Sequence, residues 1–323
     1  AIRAEDRVVL LIDEVDRARQ GPFAAVHLSE EERATFHLAA WLHDCGKLTT
    51  PDHIMEKATK LETRYNRIHE IRTRFEVLWR DAELDYWRAI AQGGEATKLD
   101  QVLQRRRQEL QEAFACVAEA NHGREAMGEA DCQRLKTIGE WRWLRYFDDR
   151  LGLSRAELDN MAEEPRRALP AEERLLADLP RHRIAWQRPC PPVHPEDPDN
   201  HWGFSMEPPS LAEHQGELYN LCIARGTLND VERFRMQEHV IQTIIMLESL
   251  PWPAHLKRVP EIAGNHHERM DGQGYPRRLR LGEASLEERI MALADVFEAL
   301  TASDRPYKNG LPLSRALEIL ADM

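Results

Sequence analysis

No run of apolar residues in this chain approaches the roughly 20 that a membrane-spanning helix requires, so no part of it is expected to cross a bilayer. Basic residues are in deficit: 44 Lys and Arg against 56 Asp and Glu leave a net charge of -12. That balance argues against a nucleic-acid polymer bound over a broad surface, which draws on clustered Lys and Arg. A small anionic ligand is still allowed, because bound cations and a few local basic groups can outweigh the global charge. Cysteines are few, and no C-x-x-C pair occurs. Cys45, Cys116, Cys132, Cys190 and Cys222 are therefore read as reduced thiols of a cytoplasmic protein. Alternating β-branched runs are scarce as well, which leaves an all-α fold. No secretory signal is visible, and the start without methionine reads as a piece of a longer protein.

What is present is helical periodicity in a chain of 323 residues, enough for one large domain or two with a hydrophobic core. Ser29 and Glu32 form a capping-box pattern, after which Ala34, Leu38, Trp41, Leu42 and Cys45 mark an apolar stripe that delivers His43 and Asp44 near a helix end. Ser285 and Glu288 repeat the device before the helix that carries Asp295. Another helix is expected from about Asn229 to Leu250, stopped by Pro251. Residues 62–225 read as an insertion. Within it, Tyr65, Ile68, Phe75, Leu78 and Ala82, then Leu99, Leu103, Leu110, Phe114 and Val117, predict two long antiparallel helices around Gly93-Gly94. Their charged outer faces read first as solvated surface, with contact to a second copy as the alternative. Seven prolines between Pro189 and Pro209 exclude regular helix there.

The most informative segment is HHERMDGQGYP, from His266 to Pro276. Adjacent histidines before a turn rich in Gly and Pro ask to be read as a metal site. Upstream lies His43-Asp44-Cys45-Gly46-Lys47 and downstream Ala294-Asp295-Val296-Phe297-Glu298, followed by Asp304-Arg305-Pro306-Tyr307-Lys308. Asp295 sits in the apolar run IMALADVFEAL, where an ionised carboxylate is costly without a partner. A metal would be that partner, and an exposed Asp on an amphipathic helix is the plainer alternative. Donors of nitrogen and oxygen without thiolate suit iron, manganese, zinc or nickel.

Together these segments resemble the HD-GYP family, a branch of the HD metal-dependent phosphohydrolases that hydrolyse cyclic di-GMP. The resemblance covers residues 1–61 and 226–323, two parts of one helical bundle interrupted by the insertion and its Pro-rich loop at 189–209. It implies two or three divalent cations, iron or manganese first, with Asp44 bridging and His43, His239, His266, His267 and Asp295 as further ligands. His239 is preferred to His69 because the run Leu228 to Phe234 leads into it as the family's second metal helix does. A hydroxide between two cations would attack phosphorus in line, Lys47 would assist the leaving oxygen, and Arg305 and Lys308 would hold the phosphates. A plain helix-terminal charge is the alternative for Lys47, and a structural turn for the segment around Pro306.

The loop of Asp271, Gly272, Gly274, Tyr275 and Pro276 has been linked in the family to contacts with GGDEF-type domains. The products would be pGpG, GMP or both. His201, in the Pro-rich stretch, is a further histidine that the loop could bring to the metals. The sequence departs from the pattern at Ala4, where a first-helix histidine is usual, and at Gln273 and Glu298. The Ala4 departure keeps two other readings open: a receptor that binds without turnover, and a hydrolase of another nucleotide.

Overall fold

The computed structural model describes residues 4–123, 126–187, 193–301 and 310–321. The chain forms two units: one takes Ala1–Met55, Arg188–Pro209 and Arg233–Met323, the other Glu56–Gln187 and Ser210–Glu232. The junctions thus stand at 55 and 232, near the boundaries of 61 and 225 read from sequence. The proline-rich run, assigned above to the insertion, falls with the first unit. The reason is local, since Ser205 donates from its backbone N (2.7 Å) and its Oγ (3.0 Å) to the carbonyl of Pro276.

The first unit is a helical bundle. Helix Ala4–Arg17 packs on Leu286–Thr301, and Glu30–Leu42 packs on Val259–Gly264. Ile12, Phe36, Ala39, Ala40, Leu247, Ile262, Ala263 and Met291 meet in its core. Both predicted capping boxes are formed: Ser29 N donates to Glu32 Oε2 and Ser285 N to Glu288 Oε2. The stripe on Glu30–Leu42 differs from the one read in sequence. Thr35, Phe36, Ala39 and Ala40 are buried, whereas Trp41 is 70% exposed. Two sets of residues share the 3–4 spacing, and the small alanines win because they let the neighbouring helix approach closely. The expected helix 229–250 is two helices, Asp230–Gln237 and His239–Glu248, with the break at Glu238.

The second unit is built on the predicted hairpin, Ile68–Ala91 and Ala96–Asn121, turned at Gly93 with a φ of 87°. Ile68, Ile71, Phe75 and Leu78 face Leu110, Ala113 and Val117 across it, with Leu135, Leu175 and Leu221 closing the core. Among the described residues, two short antiparallel ribbons, Arg142–Arg145 with Ala171–Arg174 and Arg183–Ile184 with Glu213–His214, are added to the helices. One expectation is corrected here: Cys132 and Cys222 form a disulfide, with Cα atoms 5.4 Å apart, so they are not free thiols. Cys45 and Cys116 are free, and Cys190 lies outside the described residues.

His182 is buried in this unit and accepts a hydrogen bond at Nδ1 from Leu179 N at 3.1 Å. Burial first, then the nearby Arg67, lower its pKa from 6.5 to about 4. A folded-state pKa below the unfolded one means stability that is full above pH 6.5 and is lost as pH falls towards 4. The expected loss from this group is about 3 kcal/mol. Urea unfolding at pH 7, 5 and 4 checks it, with the acid-dependent drop smaller by that amount in His182→Gln.

Candidate metal centre

Helix Glu30–Leu42 ends at His43, which caps its C-terminus, and Asp44 follows before a tight turn at Cys45–Thr49. Gly46 lies so close to helix His239–Glu248 that an added Cβ would stand 2.0 Å from the carbonyl of His239. Thr243 ties the two segments, accepting from Gly46 N (3.0 Å) and donating to the carbonyl of His43 (3.1 Å). His239 opens its helix directly after the break at Glu238. Helix Val259–Gly264 stops short of His266 and His267, so the two lie in the turn after it rather than on the predicted helix. Their rings stand 4.2 Å apart and do not diverge as a helical placement would require. Asp295 projects from Leu286–Thr301.

These six side chains converge. Asp44 Oδ1 is 3.3 Å from His239 Nε2 and 3.8 Å from His266 Nε2, while Asp44 Oδ2 is 3.4 Å from His43 Nε2. Asp295 is 4.0 Å from His43 Nε2 and 3.6 Å from His267 Nδ1. Three imidazoles are aimed in the same way: Nδ1 of His43, His239 and His266 donates to the carbonyl three residues earlier, Ala40, Met236 and Ala263, at 2.7, 2.5 and 2.6 Å. A carbonyl can only accept, so the proton is on Nδ1 and the neutral ring turns the lone pair of Nε2 towards Asp44. Lone pairs facing a carboxylate repel unless a cation lies between them. Among the described residues, buried His239 Nε2 and His266 Nε2 have no hydrogen-bond partner.

The electrostatics agree. Burial works to raise the Asp44 carboxyl, but the positive charge that His239, His43 and His266 carry when protonated, together with that of Lys47, holds it far below the usual range. His266 is pushed well below its ordinary value by burial and then by His267, and His267 falls to about 3 through burial and His239. Neutral imidazoles beside an ionised carboxylate are the state a divalent ion binds. Two overlapping groups, His43-Asp44-His266 and His239-His266-His267, have ligand atoms within 4.8 Å of one another. The donor set and the orphaned nitrogens therefore fit a metal.

Lys47 Nζ lies 2.5 Å from Asp44 Oδ2. Tyr275 stacks on His267 at 4.8 Å, and burial, with Asp295 and Asp44 nearby, pushes its hydroxyl pKa up. Of the loop glycines, Gly272 has a positive φ of 77°, while Gly274 is required by close approach, since a Cβ there would meet Arg269 N at 2.2 Å. Asp271 Oδ1 accepts from Gln273 N at 2.9 Å. Pro276 is held by Ser205 through its carbonyl, as described above.

Other candidates stand elsewhere. His201 stacks on Trp202 and lies 3.8 Å from Glu248. His69, in the second unit, pairs with Arg72 at 3.0 Å. Neither belongs to the metal-sized groups. Arg305 and Lys308 lie outside the described residues.

Sequence reasoning missed the supports. Glu268 accepts from three successive backbone amides, Arg277, Arg278 and Leu279, at 2.5, 3.2 and 2.8 Å, and so fastens the loop exit. Asn265 donates to Glu288 (2.7 Å) and accepts from Arg277 (2.9 Å), linking the histidine turn to the Asp295 helix. Thr243 has no signal of its own in sequence. Gly46→Ala should force the His43 turn off helix His239–Glu248, with about 1–3 kcal/mol lost in stability. Unfolding midpoint and metal content, measured together, should both fall.

Residues 170–323 match the family model described as HD domain. Among curated proteins, the chain is 39% identical over 97 residues to 3'3'-cGAMP-specific phosphodiesterase 3 of Vibrio cholerae, covering 30% of this chain and 20% of that protein. It is 54% identical over 96 residues to a cyclic di-GMP phosphodiesterase of Thermotoga maritima, covering 30% and 26%. With the cyclic di-GMP phosphodiesterase response regulator RpfG of Xanthomonas campestris it shares 55% over 60 residues, covering 18% and 15%. The matched segment thus spans a quarter or less of those relatives, apart from the slightly larger share of the Thermotoga maritima protein.

Proposed function

We propose that this chain, whose residues 170–323 match the HD domain model, is an HD-GYP-type metal-dependent phosphodiesterase that hydrolyses cyclic di-GMP to pGpG, GMP or both. The observation that carries the reading is the set of three carbonyl-aimed imidazoles presenting Nε2 to Asp44. His43, Asp44, His239, His266, His267 and Asp295 would hold two or three cations, iron or manganese ahead of zinc or nickel. Such cations, when bound, supply Lewis-acid activation and neutralise charge on a phosphodiester.

The protein's own groups do the rest. Asp44 stays ionised across the physiological range and orders the histidines around it. Lys47, partly exposed beside Asp44, is free to turn its ammonium to a phosphoryl oxygen and to deliver a proton to the leaving alkoxide. Tyr275 keeps its hydroxyl proton and can donate it to a phosphate. Arg305 and Lys308 are assigned to the phosphates by their motif.

A second substrate is favoured by the Vibrio cholerae relative, whose name gives 3'3'-cGAMP. We also assign the exposed Asp271 and Gln273 of the loop to contact with GGDEF-type domains, and the exposed Trp87 and Val102 of the hairpin to a second copy of the chain. The test is hydrolysis of labelled cyclic di-GMP and 3'3'-cGAMP by protein reloaded with Fe²⁺ or Mn²⁺, with metal content measured alongside. Turnover of the first supports the reading, and turnover of the second alone moves the specificity to it. Bound nucleotide without product in metal-loaded protein would replace it with a receptor, to which Ala4 would then be the clue.

A further inference from the structure

The second unit holds an open cavity of about 780 Å³, within the range of small-molecule sites, roughly 300–1,000 Å³. Seven arginines and no lysine line it, against six carboxylates, in a chain whose net charge is -12. Two of those carboxylates are engaged by backbone: Glu157 accepts from Ser154 N at 2.7 Å and Asp178 from Tyr219 N at 3.2 Å. The other four are shared, Glu70 between Arg67 (3.5 Å) and Arg74 (3.7 Å). Glu217 serves Arg67 (3.1 Å) and Arg74 (2.9 Å), and Glu173 serves Arg145 (3.0 Å) and Arg167 (3.2 Å). Asp149 serves Arg145 (3.4 Å) and Arg181 (3.2 Å), although Arg181 also reaches Glu164 at 2.8 Å. Arg142 has carboxylates no nearer than 3.7 and 3.8 Å.

A network serving stability alone leaves no room inside. Every guanidinium here has a carboxylate within 4.0 Å, but Arg142, Arg167 and Arg174 are half-exposed, and Arg142 and Arg174 share the half-exposed Glu140 at 3.7 and 3.3 Å. Such exposed pairs are weak, so these planar forks can turn to the phosphate or carboxylate oxygens of a ligand in the space they line. We propose that this cavity binds a small polyanion carrying at least two phosphate or carboxylate groups. The assignment is independent of the metal-centre reading, since every residue in it belongs to the second unit.

Calorimetric titration of the full chain with inorganic pyrophosphate and with citrate tests it. Asp44→Ala is used as the background, so that the metal centre does not compete for the anion. One site is expected for at least one of the probes, weakening with added salt. Which probe binds identifies the group recognised, and either result supports the site. Arg142→Gln combined with Arg167→Gln, both at half-exposed positions, should weaken binding about tenfold or more. Glu70→Gln, which removes a carboxylate from the lining, should tighten it, a change that a merely destabilised protein would not give. The proposal is overturned if neither probe binds at about 1 mM, if the arginine pair leaves affinity unchanged, or if Glu70→Gln weakens binding.

Discussion

Asp44→Ala is expected to lower the proposed turnover of cyclic di-GMP roughly a thousandfold, and to strip the protein of bound metal while leaving it folded. Its carboxylate is the point at which the arrangement closes: one oxygen faces His239 and His266, the other faces His43 and Lys47. Without it, three Nε2 lone pairs converge on one another, and among the described residues no remaining anion lies within the same reach of all three. Asp44→Asn separates charge from shape, because the amide keeps the volume and loses the negative charge that pairs with Lys47. Both variants should lose metal, with Asn retaining more of it. Metal analysis and circular dichroism beside the assay check the argument, and a variant that keeps full metal and full activity would refute it. Lys47→Ala should behave differently, with metal retained and the chemical step slowed.

Glu217→Ala should cost the second unit about 3–5 kcal/mol, the effect of leaving buried charges without their partner. Glu217 is 1% exposed and accepts from Arg67, from Arg74 and from the backbone amide of Ala177 at 3.0 Å. Burial alone would raise its carboxyl, but Arg74 and Arg67 bring it below the ordinary value. Removing it leaves two largely buried guanidiniums with the longer contacts to Glu70, at 3.5 and 3.7 Å, as their remaining carboxylate. Glu217→Gln keeps acceptor geometry and should fall between. Replacing all three by apolar residues of similar volume should restore much of the loss, since such exchanges are often neutral or stabilising. Urea unfolding followed by fluorescence of Trp141 and Trp143, which pack against this core, reads the difference.

Much of this architecture could be read from residues alone, for identifiable reasons. The two capping boxes, the Gly93 turn and the hairpin periodicity are local, so Ser29, Ser285 and the apolar positions from Ile68 to Val117 announced their helices directly. The six candidate ligands could be named because His43-Asp44, His266-His267 and Asp295 sit in a recognisable order and the run from Leu228 to Phe234 leads into His239. What stayed hidden depends on contacts distant in sequence. The small alanines that win the face of helix Glu30–Leu42 do so through the neighbour they meet, and Thr243 matters through Gly46, nearly two hundred positions away. The strands RWLR and AEER carry charge where strands are usually recognised by apolar alternation. The pairing of Cys132 with Cys222 bridges 90 residues and leaves no spacing motif.

Three imidazoles take their aim from carbonyls of their own local turns, only three positions back along the chain. Ligand orientation is therefore indifferent to how much polypeptide runs between one turn and the next. The entropic cost of closing an excursion grows slowly, by about 0.6 kcal/mol for each doubling of its length. A chain built this way can accept a whole folded unit between Met55 and Arg233 without re-tuning its histidines. The same economy implies that exchanging or shortening that excursion is a practical route to new variants of this protein.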